Sequence, residues 1–94
     1  MTRTYLFVFD RSDPDFDYAR FHNKLKNHPA VRSWWHYIKS GYLIRSDLSL
    51  RELNATLTNL MGEQSFLLAE VDLQRVEGFL PAKAWDWVAK YERA

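Results

Sequence analysis

The chain of 94 residues contains no cysteine. Disulfides, thiolate metal sites and cysteine nucleophiles are therefore excluded. No apolar run approaches the ~20 residues that span a bilayer, so no membrane partner is expected. The N-terminus enters a strand pattern without the charged and apolar regions of a signal peptide, which makes a cytoplasmic protein the expectation. A dominant charge is missing too: 13 Lys and Arg stand against 12 Asp and Glu, a formal net charge of +1. That argues against holding nucleic acid by net charge, although a local patch would still serve. There are no repeats, low-complexity tracts or long linkers, and residues 1–94 leave room for a single domain.

What is plentiful is aromatic surface: 4 Trp, 5 Tyr and 6 Phe, or 16% of the chain. A core this small does not easily hide them all, so part of that surface is expected at a subunit interface. The densest stretch is residues 33–47, SWWHYIKSGYLIRSD, which reads as two strands folded back around Lys39-Ser40-Gly41. Gly41 is expected to permit the tight turn. Alternation puts Trp34 and Trp35 on opposite faces, with His36 on the face of Trp34.

The flanking segments are strand–helix units. Residues 4–9 (TYLFVF) are apolar on both faces, as in a central strand covered on two sides. Asp13-Pro14 suits a helix start, with Asp15 a competing cap; Tyr18, Phe21 and Leu25 follow at helical spacing, and His28-Pro29 closes the helix. Ser49 to Glu52 is a capping box, followed by a stripe of Leu50, Leu53, Leu57 and Leu60 and by Gly62 as a stop. Ser65 to Leu73 reads as a fourth strand, and Pro81 to Arg93 as a third helix. The order β-α-β-β-α-β plus a helix is α+β, a ferredoxin-like split βαβ sandwich with its core in residues 4–73. The antiparallel sheet is expected in the order 4-1-3-2, with strands one and three running parallel at its centre.

That arrangement would bring Asp10 and Asp47, at the ends of strands one and three, to one edge. There they would hold a divalent cation or share a proton; the ordinary alternative is a turn residue and a helix-entry charge. His36 is a candidate acid–base group, or else a hydrogen-bonded sheet residue. His22 reads as the edge of a buried helix face and His28 as a helix end bonded to carbonyls; the three histidines lack metal-ligand spacing. Arg32, Lys39 and Arg45 lie on the hairpin with Trp34, Trp35 and Tyr42. Cations beside aromatics suit nucleic acid, but the glycine–aromatic signature of sheet-surface RNA readers is missing. A dimer interface of Trp34, Trp35 and Tyr42 is the competing account.

With strand one ending in Asp10 and Lys39-Ser40-Gly41-Tyr42-Leu43 leading into strand three, the chain resembles a known group. It is similar to the ferredoxin-like superfamily of small CRISPR-adaptation nuclease-like proteins, which includes a phage and bacterial branch without CRISPR association. The resemblance covers residues 4 to about 73, through YLFVFD, the spacing to SGYLIRSD, and FLLAEVD. It implies a homodimer and, for the nuclease members, a magnesium site in which Asp10 is the ligand; Ser40 matches the serine that begins the family's third-strand motif. The helix at 81–93 stands where those proteins carry a short exchanged fifth strand. The leading expectation is a homodimeric binding module without catalysis or cofactor, with nucleic acid one partner it would suit. The alternatives are a magnesium-dependent nuclease using Asp10 and a dimeric α+β-barrel enzyme using His36 or Asp47.

Overall fold

Strands with large apolar residues on both faces need cover on both sides, and the chain supplies it. In the computed structural model, which describes residues 1–92, four strands form one antiparallel sheet. They are β1 (Arg3–Phe9), β2 (Val31–Ile38), β3 (Gly41–Ser46) and β4 (Phe66–Glu70), joined by helices α1 (Tyr18–Lys26), α2 (Leu50–Met61) and α3 (Ala82–Tyr91). The sheet order is β2-β3-β1-β4, which is 4-1-3-2 counted from the other edge. The central pair departs from expectation: β1 and β3 are antiparallel, Arg3 facing Ser46 and Val8 facing Gly41. A helical crossover returns β2 parallel to β1, and the hairpin then reverses β3, so no parallel neighbours arise.

Helices α1 and α2 cover one face. Tyr5, Phe7 and Phe9 of β1 and Tyr42 and Ile44 of β3 are buried there against Phe21, Leu25, Leu53, Leu57 and Met61. The Phe7 ring centre lies 5.2 Å from that of Phe9 and 5.8 Å from that of Phe21, distances at which aromatic pairs attract. Helix α3 covers the opposite face, where Ala84 and Val88 pack with Trp35, Leu43 and Leu73. Trp87 Nε1 pins that helix by donating to Ser33 Oγ at 2.9 Å. Every residue of β3 is buried as a result.

Local chemistry explains where the elements begin and stop. Helix α1 starts later than Asp13-Pro14 suggests, because Asp17 is the cap, accepting from Arg20 N at 2.9 Å. Asp13 is engaged elsewhere: its carboxylate accepts from Asp15 N at 2.9 Å and from Gln64 Nε2 at 3.0 Å. The capping box of α2 is formed in both directions, and Gly62 ends that helix at φ 62°, in the left-handed region that favours glycine. Leu50 points outward, and Met61 takes its place on the buried stripe. Strand β4 is shorter than residues 65–73, since Asp72 caps a 3-10 turn over Leu73–Arg75. Pro81 is the N-cap of α3, and Arg93, at the expected end of that helix, lies outside the described residues. Gly41 is a strand residue paired with Ile38 and Val8 and has no positive φ, so the turn consists of Lys39 and Ser40.

The two faces predict contrasting costs. Leu57→Ala, at a fully buried position, should lower the unfolding free energy by about 2–5 kcal/mol, whereas Phe79→Ala, at a fully exposed one, should stay within about 0.5 kcal/mol. Urea denaturation of the two variants checks this, and equal losses would contradict the assigned core.

Candidate functional site

The residues singled out from the sequence are dispersed by the fold. Asp10 ends β1 at the end of the sheet that carries the hairpin turn, with its amide donating to Ser65 O at 2.9 Å. Asp47 follows β3 at the opposite end, where its carboxylate accepts from Thr2 Oγ1 at 2.6 Å and pairs with Arg32. The seven residues of β1 separate them, on the order of 25 Å at ~3.3 Å per residue. The expected shared metal or proton site of Asp10 and Asp47 is thereby corrected, and its cause is the antiparallel central pair. Among the described residues no three His, Asp or Glu side chains converge to hold a metal ion.

Each aspartate has a local role. Asp10 accepts from Ser12 N at 2.8 Å, and the Ser12 hydroxyl and amide hold its carboxyl below the usual carboxylate range. The Thr2 hydroxyl and then Arg32 do the same for Asp47.

The expected basic patch also comes apart. Arg45 lies on the α3 face, buried, donating to Thr4 Oγ1 at 2.8 Å with its guanidinium 4.8 Å from the Tyr91 ring centre. It is therefore not a surface phosphate contact. Arg32 is engaged by Asp47, and Lys39 is in the turn at the other end of β2. The expected dimer interface needs the same correction, because Trp35 and Tyr42 are buried in the chain's own two cores. Of that trio only Trp34, 36% exposed, offers surface.

What the fold does assemble is a cluster of rings where α1 crosses β2 and β3. The His36 ring stacks on Tyr42 at 4.0 Å with an interplanar angle of 6°. His22 approaches from α1, its ring centre 5.6 Å from that of His36 and 5.0 Å from that of Trp34. Together with Arg11, Tyr18 and Phe21, the two histidines and Tyr42 line a shallow cavity of about 270 Å³. Arg11 rests over the Tyr18 ring at 4.6 Å and donates to Lys39 O at 2.9 Å.

Hydrogen bonding ties this cluster together. Burial pushes the Tyr42 phenol up to about 12, against a smaller opposing effect of Arg11. At neutral pH the phenol is therefore protonated, and its hydroxyl is hydrogen-bonded to His22 Nδ1 at 2.6 Å. His22 has its own pKa lowered, chiefly by burial and further by His36 and Lys26. His36 Nδ1 lies 2.9 Å from Gly41 O; a carbonyl only accepts, so Nδ1 is the donor of that bond.

Of the sequence candidates, His36 and Trp34 belong to this cluster. His22 was expected only at the edge of a buried face, and Tyr42 either among the hairpin aromatics that suit nucleic acid or at a dimer interface. The parity of Trp34, His36 and Tyr42 along their strands was the available signal; the arrival of α1 above them was not. His28 bonds to Ala30 N at 3.1 Å rather than to a carbonyl. No family model, curated protein or solved structure matches the chain significantly, so the geometry carries the reading of this site.

Because the folded protein binds a proton at His22 less readily than the unfolded chain, its contribution to stability is whole above about pH 6.5. It is lost as the pH falls through the lowered folded-state value. Urea midpoints measured at about pH 8 and about pH 5.5 should fall together with pH in the parent and change less in His22→Gln. Equal pH dependence in both proteins would contradict the assignment.

Proposed function

We propose that the protein is a ferredoxin-like recognition module that acts by contact, with single-stranded nucleic acid as its ligand and the surface of His22, Trp34 and His36, backed by Tyr42, as its site. The observation that carries this is the ring cluster itself. Helix α1 and strand β2 bring the exposed Trp34 ring beside the half-buried His22 and His36 imidazoles, over the buried Tyr42 ring, and single strands bind by stacking bases on exposed rings. Trp34 is the ring with most free area. Arg11 borders the cavity and Lys26 lies close enough to His22 to depress its pKa, giving cations for the phosphates. Polar ring nitrogens on the neighbouring imidazoles of His22 and His36 suit the hydrogen-bonding edge of an unstacked base. The βαββαβ order and the 4-1-3-2 sheet support the ferredoxin-like assignment.

Fluorescence anisotropy with a labelled oligothymidylate or oligouridylate at low salt tests the proposal. Binding should weaken as salt rises. Trp34→Ala should weaken it roughly 5- to 150-fold, the equivalent of about 1–3 kcal/mol of stacking. Absence of binding at low salt, or unchanged affinity in Trp34→Ala, would overturn it.

A second observation favours a homodimer, through a different surface from the tryptophan pair. β4 is an edge strand, and its Leu67 is 63% exposed beside the outward-facing Leu50 of α2. Exposed apolar edges invite pairing with another strand. Sedimentation velocity at micromolar concentration should show a dimer that Leu67→Lys converts to monomer; a strictly monomeric parent sinks this reading.

A further inference from the structure

Beneath α3 lies a partly open apolar cavity of about 190 Å³. It is lined by Leu6, Val8 and Leu43 of the sheet, by Val88 of α3, and by Val76 and Leu80 of the loop before that helix. The only Ser, Thr, Asn, Gln or charged side chains on the lining are Ser40 and Glu77. Such walls suit carbon better than water, because a buried water needs two to four polar partners. Size sets the body of an occupant: an apolar cavity of about 150 Å³ takes up benzene, whereas drug-sized ligands need roughly 300–1,000 Å³. A single ring with a short chain is what fits.

Charge sets the other end of the occupant. Glu77 is both exposed and on the lining, so it stands where the cavity meets solvent. The one ion pair among the described residues is that of Arg32 with Asp47, which leaves the Glu77 carboxylate without a cation. Lys39 precedes Ser40 in the turn, but its side chain is not on the lining. A carboxylate at the mouth of an apolar space attracts a cation and repels an anion. We propose that this cavity binds a small amine in its protonated form, with one ring inside the cavity and the ammonium at the mouth beside Glu77. The site is separate from the nucleic-acid surface and lies on the opposite face of the sheet. The ring supplies most of the affinity and the ammonium the selectivity, because an exposed ion pair is worth little. A monocyclic arylalkylamine meets both requirements.

NMR titration of the full chain at neutral pH and low salt tests this, with phenethylamine, phenethyl alcohol and phenylacetate as separate ligands. The three share a ring and differ chiefly in carrying a positive charge, none or a negative one. Phenethylamine should bind with a dissociation constant below about 10 mM, the weakest that ordinary ligand efficiency gives a molecule of this size. Intermolecular NOEs from its ring should reach the Leu43 and Val88 methyls. It should bind about two- to fivefold tighter than the alcohol, the range of an exposed ion pair, and the alcohol tighter than the acid. Glu77→Gln, at an exposed position, should remove the preference for the amine and leave the alcohol's affinity unchanged. Added salt should narrow the same gap in the parent. No binding of the amine, equal affinities for amine and alcohol in the parent, NOEs to the His22 and Trp34 surface in place of Leu43 and Val88, or a preference that survives Glu77→Gln would overturn the proposal.

Discussion

The structure depends on one constraint: β1 and β3 are apolar on both faces, so the sheet must be covered twice. Tyr5, Phe7 and Phe9 point to one side and Leu6 and Val8 to the other, while β3 is buried along its full length. A two-helix sandwich would leave Trp35 and Leu43 in water. Helix α3 takes that second face, anchored by Val88 in the core and by the bond from Trp87 to Ser33. A barrel built by apposing two such sheets, or an interface through Trp35, would need the face that α3 occupies. What remains open to partners is the two sheet edges and the ring cluster beside α1.

Tyr42 joins the core to that cluster. Its ring packs among Phe7, Phe9 and Phe21, while its hydroxyl reaches His22 and its outer face carries the stacked His36 ring. Rigid core aromatics therefore orient the two imidazoles, and preorganised polar groups bind with less ordering cost. Arg45 shows the same economy on the other face. Its buried charge is met by the Thr4 hydroxyl and by the Tyr91 ring, and cation–ring attraction strengthens when water is excluded.

Much of the fold was legible because its signals are local. The capping box at Ser49–Glu52, the two-sided apolar run of β1 and the strand pair around Lys39-Ser40 each rest on residues near in sequence. The site was less legible because it depends on directions and distances across the sheet. Taking β1 and β3 as parallel placed Asp10 beside Asp47; once the pair is antiparallel, the two carboxylates stand at opposite ends. Alternation correctly put Trp34 and Trp35 on opposite faces, but sequence alone did not show that α3 would bury Trp35 while Trp34 met His22. Arg45 resembled a surface cation for the same reason, since the residue that shields it, Tyr91, lies far along the chain.

The central claim is that each chain closes its own sheet with its own α3. An isotope-filtered NOE experiment on an equimolar mixture of labelled and unlabelled protein separates contacts within a chain from contacts between chains. The structure predicts Val88 methyl to Trp35 ring contacts only within one chain. The same contacts appearing between labelled and unlabelled chains would mean that α3 is exchanged with a partner, and would contradict the account.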